Sequence, residues 1–325
     1  MTFEVIEGGL ATTIQDGGRP DWAHLGVPPS GACDPWSLAT ANVLVGGDPM
    51  AAAIEMTLVG PTLLARRSTV IGLAGADLGG RIIGGRRLMP GQSHRIEAGE
   101  TIAFPGDGPD HRARAYLALP GGIDVPTVLG SRSTCLAAGF GGFDGRPLRR
   151  GDIVVGQGFG GASLGERVWP SDPEAAAPTG ATVLRVVAGP APGVEALAAA
   201  RWRVGREAVR VGLRLDGGPL TDGIAGEVVS RGVTWGAIQV PPDGRPIVLG
   251  ADHQTTGGYP VVAVVITADR PVLGQLRPGT EVSLQAIGRD DALVALREQR
   301  AAFAAGTAAV RDSAAWDELT RSAGG

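Results

Sequence analysis

Three stretches of this chain crowd chemically competent side chains beside glycines: "TIQDGGRPDWAHLGVPPSGACDP", "GSRSTCLAAGFGGFDG" and "ADHQTTGGYP". The first carries Gln15, Asp16, Arg19, His24, Ser30 and Asp34. The second carries Arg132, Ser133 and Thr134 ahead of a Gly-Phe-Gly-Gly loop, and the third carries Asp252, His253, Gln254, Thr255, Thr256 and Tyr259. Carboxylates place water or take a proton, guanidinium groups hold anions, and hydroxyls and amides orient a ligand. Glycine lets the backbone approach a ligand closely, and loops on a stiff scaffold are where sites are built. A structural reading stands beside this one. Asp16 and Arg19 would pair across a turn, and Thr255 and Thr256 would hydrogen-bond their loop to itself. The third loop is longer and more polar than a strand connection requires, which favours a site there.

Other chemistries find little support. "GQGFGG" (Gly156 to Gly161) matches the spacing of a dinucleotide fingerprint, but no helix pattern follows it. His24, His94, His111 and His253 show no metal-ligand spacing, so no metal is expected, and there is no G-x-S-x-G elbow. All 29 basic residues are arginines, which excludes a Schiff-base, P-loop or biotin-carrying lysine within these 325 residues. Cys33 and Cys135 are too few for a disulfide scaffold and read as buried thiols. With 33 acidic residues the net charge is −4, and no basic stripe interleaved with aromatics invites nucleic acid. The opening residues lack a signal-peptide pattern, and the apolar run Val261 to Ala268 is far too short to span a membrane. A cytoplasmic protein is expected.

The elements that must position these clusters are mostly strands. Fifty-three glycines and 24 prolines among many β-branched residues favour short strands and tight turns. Asp34-Pro35 is a helix start that leads into "WSLATANVLV" and stops at Gly46-Gly47. Further helices are expected in "VEALAAARWRV" and from Asp290 or Asp291 through "ALVALREQRAAFAA", with a fraying tail. The proline-rich stretch 169–181 reads as a linker between a first half, 1–168, and a second, 182–288, with a C-terminal helix and tail over 289–325. Each half then holds one copy of a near-repeat, "WAHLGVPPSG" and "WGAIQVPPDG". Residues before proline are extended, so each copy is expected to be a strand running into a stiff turn, the mark of duplicated β-barrels.

The assembled motifs "TIQDGGRPDWAHLGVPPSGACDP", "RSTCLAAGFGGFDGRPLRRGD" and "GAIQVPPDGRPIVLGADHQTTGGYP" resemble the second subunit of the allophanate hydrolase group, also called the biotin-dependent carboxyltransferase family. That family includes the KipA protein and the C component of bacterial 5-oxoprolinase. The resemblance implies a mainly-β fold of two tandem cyclophilin-like barrels with a few short helices. It implies a partner, the allophanate hydrolase subunit 1 or KipI-like protein, which is the B component of 5-oxoprolinase. For a 5-oxoprolinase it also implies a third, lactam-utilisation protein, the A component. ATP would be used by such a complex to open 5-oxoproline to glutamate.

In that reaction Arg19 or Arg132 would hold the substrate carboxylate. Asp16, Asp34, Glu55 or Asp252 would place water, with His24, Ser30, Ser133, Thr134, Gln254, Thr255, Thr256 and Tyr259 around the substrate. Two other readings follow from the same family: carboxyl transfer to urea or an amide from biotin carried on another chain, and KipA-like binding of a KipI-like kinase inhibitor. The chain departs from the usual pattern at Cys33, at Cys135, and where a Ser-Asn/Asp-Arg-Met-Gly element reads Ala208-Val209-Arg210-Val211-Gly212.

Overall fold

The computed structural model describes residues 2–109, 111–158, 166–170, 181–220, 224, 226 and 228–323, the side chains of 314–323 excepted. Most of the expected linker 169–181 and the end of the "GQGFGG" stretch lie outside the described residues. The chain forms two compact units, neither contiguous in sequence: 1–18 with 34–176 and 301–325, and 19–33 with 177–300.

Among the described residues, unit 1 has ten strands: β1 (Thr2–Glu7), β2 (Ala11–Gln15), β3 (Ala53–Thr57), β4 (Thr62–Ala65), β5 (Thr69–Gly75), β6 (Arg81–Ile82), β7 (Gln92–Ile96), β8 (Thr101–Ala103), β9 (Arg114–Ala118) and β10 (Ile153–Val155). They hydrogen-bond as two five-stranded antiparallel sheets, in the orders β10-β1-β4-β8-β6 and β2-β3-β9-β5-β7. Both sheets feed one core, from Phe3, Val5, Leu63 and Ile102 on one side and Ile14, Ile54, Ile71 and Leu117 on the other. Helix α1 (Pro35–Leu44) starts where the sequence places it, because Asp34 accepts hydrogen bonds from the Ser37 amide and hydroxyl. It presses closely on β5: a Cβ on Gly72 would lie 2.0 Å from the Ala41 carbonyl oxygen.

Unit 2 is a closed seven-stranded barrel. Its strands are β11 (Thr182–Ala188), β12 (Trp202–Val204), β13 (Gly212–Asp216), β15 (Ala237–Gln239), β16 (Ile247–Leu249), β18 (Val261–Val265) and β19 (Glu281–Ala286), in the ring order β11-β18-β15-β16-β13-β12-β19. The ring closes through a parallel pairing of β19 with β11, and a two-stranded ribbon of β14 (Arg231–Gly232) and β17 (Thr256–Gly257) stands apart from it. Alternation along β11 sends Leu184 and Val186 into the barrel core with Trp202, Leu215, Ile238 and Val262.

The helices among the described residues are few, as expected, with three differences. The segment "VEALAAARWRV" is helical only as α2 (Val194–Ala199); Trp202 instead enters β12, where its indole donates to the Leu197 carbonyl and its ring fills the barrel. A short α3 (Arg270–Gly274) follows β18, and the last helix, α4 (Arg289–Ala323), runs much further than the expected fraying tail. The residues of α4 before Ala301 group with unit 2, where Ala292 and Ala295 pack with Ile266 and Ala268. Later residues group with unit 1, where Phe303 meets the rings of Trp36 and Trp169.

The near-repeat is not shared one copy to each unit: both copies group with unit 2. Their conformations also differ. "WGAIQVPPDG" is a strand, β15, entering a turn closed by the Gly244 amide on the Pro241 carbonyl at 2.9 Å. "WAHLGVPPSG" instead begins as a 3-10 turn (Pro20–Leu25) and continues without strand pairing into Ser30 and Gly31, both at positive φ. The reason is tertiary. Arg210 binds the Gly31 carbonyl at 2.7 Å and the Cys33 sulfur at 3.2 Å, fixing this segment as a loop of unit 2.

Candidate functional site

The candidate residues fall into two groups by unit. Asp16, Asp34, Glu55, Arg132, Ser133 and Thr134 are in unit 1; Arg19, His24, Ser30, Asp252, Gln254, Thr255, Thr256 and Tyr259 are in unit 2.

In unit 1, Asp16 follows β2 and gathers the 131–134 loop. Its Oδ1 accepts from Ser131 Oγ at 2.6 Å, Ser133 Oγ at 2.5 Å and the Gly18 amide at 2.8 Å, while Oδ2 accepts from the Arg132 amide at 2.6 Å. Serines and backbone thus satisfy this carboxylate in place of the guanidinium expected across the turn. Thr134 extends the tie, its hydroxyl donating to the Ile14 carbonyl at 3.0 Å. The glycine loop beyond it is required: a Cβ on Gly142, at φ +54, would lie 2.0 Å from Thr134 Oγ1. Arg132 donates Nε to the Val125 carbonyl at 2.9 Å, and its two terminal nitrogens have no partner among the described residues.

Asp34 and Glu55 are joined through Tyr116. The Asp34 amide donates to the Tyr116 hydroxyl at 2.8 Å, and that hydroxyl donates to Glu55 Oε2 at 2.7 Å. Glu55 also faces Arg114 at 3.9 Å, with the Glu55 side chain 1% exposed. Both carboxylates are buried and committed, Asp34 as a helix cap and Glu55 as the acceptor of the tyrosine hydroxyl and the ionic partner of Arg114.

In unit 2 the polar groups collect at one end of the barrel. Val209 and Gly212 exchange hydrogen bonds at 3.1 Å, making a two-residue hairpin tip of Arg210 and Val211. The tip lies against the third motif: Val211 and Arg210 accept from the amides of Gly250 and Asp252. Arg210 and Asp252 also pair through two parallel bonds, Nε to Oδ2 at 2.8 Å and Nη2 to Oδ1 at 2.9 Å. Arg210, missed as a site residue, is legible in the family element that Ala208 to Gly212 otherwise departs from.

Around this pair several polar atoms have no partner among the described residues. Ser30 Oγ is buried and unbonded, on a residue held at φ +55. His253, also buried, spends Nδ1 on the Gln254 carbonyl at 2.6 Å, which leaves Nε2 as an acceptor. Burial pushes the His253 pKa below its usual value, the bond to Gln254 opposes that, and the nearby Arg270 charge lowers it further. Gln254 donates to Gln239 Oε1 at 3.3 Å, and Gln239 donates to the Tyr259 carbonyl at 3.4 Å. The hydroxyls of Thr255 and Thr256 make no hydrogen bond among the described residues, so they do not close the loop on itself; the backbone does so, through Val233 and the β14–β17 ribbon.

Arg19 is buried and its amide donates to the Pro29 carbonyl at 2.6 Å, fixing the base of the loop that ends in Ser30. His24 is exposed on the 3-10 turn, stacked on Trp22 and bonded to the Asp21 carbonyl, apart from these contacts. Among the described residues no three His, Cys, Asp or Glu side chains are placed to hold a metal ion, and no helix is long and apolar enough to cross a membrane.

The mainly-β fold with its closed barrel is the architecture of a carboxyltransferase-type domain. The chain belongs to the family described as carboxyltransferase domain, subdomain A and B, which matches residues 25–286. It is 33% identical over 312 residues to the C component of 5-oxoprolinase from Escherichia coli, covering 93% of this chain and 96% of that protein. It is 32% identical to the urea amidolyase of Lachancea kluyveri over 86% of this chain but only 16% of that protein. The crystal structure of the Kluyveromyces lactis urea carboxylase matches 94% of this chain at a TM-score of 0.80 and 28% identity, the chain spanning 29% of its length. The chain thus spans nearly all of the 5-oxoprolinase component but only a segment of the urea amidolyase and urea carboxylase chains.

Proposed function

We propose that this chain is the C component of an ATP-dependent 5-oxoprolinase. It acts in the cytoplasm with an allophanate hydrolase subunit 1 or KipI-like protein (the B component) and a lactam-utilisation protein (the A component). The observation that carries this reading is the extent of likeness to the Escherichia coli C component, 96% of that protein, against 16% of the urea amidolyase.

The chemistry sets what the site must do. Amide resonance makes a lactam a poor electrophile, and transfer of a phosphoryl group from ATP to its oxygen removes that protection. A first water adds to the activated carbon and the C–N bond breaks, its nitrogen taking a proton and leaving an acyl phosphate. A second water releases phosphate and glutamate. Unit 2 supplies groups suited to orienting the ring: the unpartnered Ser30 hydroxyl, His253 Nε2, and the Gln254, Thr255, Thr256 and Tyr259 side chains. Asp16, Asp34, Glu55 and Asp252 are positioning residues in this reading, since each carboxylate is already held by protein donors. The test is 5-oxoproline-dependent ATP hydrolysis by the three-protein mixture with and without this chain. A rate that depends on the chain supports the proposal, and equal rates reject it.

The family match and the fold shared with urea carboxylase favour a second reading, carboxyl transfer to urea or an amide. Without a lysine, this chain would receive the carboxyl group from biotin on another protein. Avidin-sensitive carboxylation by a mixture including a biotin carrier would select this reading over the first.

A further inference from the structure

The barrel end of unit 2 holds three arginines near acidic residues, and two of them are paired. Arg210 takes both oxygens of Asp252. Arg185 takes both oxygens of Asp269, with Nη2 to Oδ1 at 2.6 Å and its own amide to Oδ2 at 2.7 Å. Arg270 follows Asp269 directly but finds that carboxylate spent, and it forms no ion pair among the described residues. Its guanidinium carbon sits 5.0 Å from the centroid of the Trp235 ring, and Nη2 donates to the Trp235 carbonyl at 3.2 Å. Nε is buried with no hydrogen-bond partner among the described residues.

A half-buried cation without a counter-charge is unfavourable, and stacking on an indole offsets only part of that cost. Stacking also fixes the plane of the guanidinium, so its remaining donors form a rigid fork of the kind that matches a carboxylate. The backbone brings His253 to the same end of the barrel: the Gly236 amide, next to Trp235, donates to the Leu249 carbonyl at 2.9 Å, and the His253 amide donates to the Gly250 carbonyl at 3.3 Å. With Nδ1 spent on the Gln254 carbonyl, the neutral ring leaves Nε2 ready to accept a hydrogen bond, and the Arg270 charge acts in the direction that keeps it neutral.

We infer that Arg270, stacked on Trp235 beside His253, is a subsite for the carboxylate of a small molecule that also carries an N–H donor. For the lactam reaction this names the group that holds the ring's carboxylate, and to that extent it rests on the function proposed above. It moves that role from Arg19 and Arg132 to a residue the sequence motifs did not single out.

The test uses the full chain and three probes: 5-oxoproline, pyrrolidinone (the same ring without the carboxylate) and inorganic phosphate. Calorimetry gives affinities, and the Arg270 Nε–H resonance reports occupancy in the unmutated protein, whatever the folding of any variant. We expect 5-oxoproline to move that resonance and to bind at least about tenfold more tightly than pyrrolidinone, with Arg270→Gln removing the difference and Arg270→Lys restoring part of it. An unmoved resonance with 5-oxoproline, equal affinity in Arg270→Gln, or occupancy by phosphate alone would each overturn the subsite. The two proposals fail separately. Chain-dependent turnover without Arg270-dependent binding sinks the subsite only, and Arg270-dependent binding without turnover sinks the 5-oxoprolinase reading only.

Discussion

Arg210 and Asp252 pair edge to edge, Nε to Oδ2 at 2.8 Å and Nη2 to Oδ1 at 2.9 Å, and the same Nη2 donates to the Gly31 carbonyl at 2.7 Å. One guanidinium thus joins a hairpin tip, the "DHQTTGGYP" loop and the segment that carries Ser30. The Asp252 side chain is 2% exposed, so removing Arg210 leaves a buried carboxylate without its partner.

We therefore expect Arg210→Gln or Asp252→Asn to destabilise the protein by about 3–5 kcal/mol, read as a lower urea midpoint. Amide exchange of residues 31–33 should quicken in both variants. Combining the substitutions should cost less than the sum of the two, because the second removes a group the first has already orphaned.

Asp16 offers a second test, in unit 1. Four donors converge on its carboxylate, two serine hydroxyls and two amides, and hydrogen bonds to a charged acceptor are the stronger kind. Asp16→Ala should cost about 2–4 kcal/mol, with faster amide exchange at Arg132. Ser131→Ala should cost less, since the carboxylate keeps its other donors. A neutral Asp16→Ala by thermal melting would contradict the positioning role.

How much of this is legible in the sequence divides along physical lines. The Asp34 cap, the strand-rich barrel and the turn at Pro241–Gly244 are local consequences of residue type, and the sequence declares them. The fate of "WAHLGVPPSG" is not local: its prolines permit a strand and turn, and a guanidinium some 180 residues away decides otherwise. Asp16 reads as one half of an ion pair because Arg19 is three residues on, but serines brought in by the fold reach it first. Tyr116 belongs to no motif, and Trp235 enters the sequence reading only as the start of a near-repeat. Their importance lies in what they touch.

Tyr116 makes that point measurable. Its hydroxyl accepts from the Asp34 amide and donates to Glu55, linking the start of α1 to β3 through β9. Tyr116→Phe keeps the ring and removes both bonds, leaving a buried amide and a buried carboxylate short of a partner. The expected loss is about 1–3 kcal/mol, with faster exchange of the Asp34 amide as the local signature. If stability is unchanged, water has replaced the hydroxyl and the link is dispensable.

The buried histidines set the response to acid. Burial is the main cause that lowers the pKa of both His94 and His253 from the ordinary value of 6.5. At His94 the Met89 carbonyl and Glu166 act upward and Arg86 downward; at His253 the Gln254 carbonyl and Asp252 act upward and Arg270 downward. Above pH 6.5 both rings are neutral whether the chain is folded or not, and their contribution to stability is fully present. As the pH falls below that value the unfolded chain takes up protons first, so stability declines until the folded-state pKa values are passed. Urea midpoints should therefore drop between about pH 7 and about pH 5. His253→Gln and His94→Gln should each flatten that slope, the first through unit 2 and the second through unit 1. Arg270→Gln should flatten it slightly, by relieving the charge that helps hold His253 down. A slope unchanged in both histidine variants would assign the acid sensitivity to other groups.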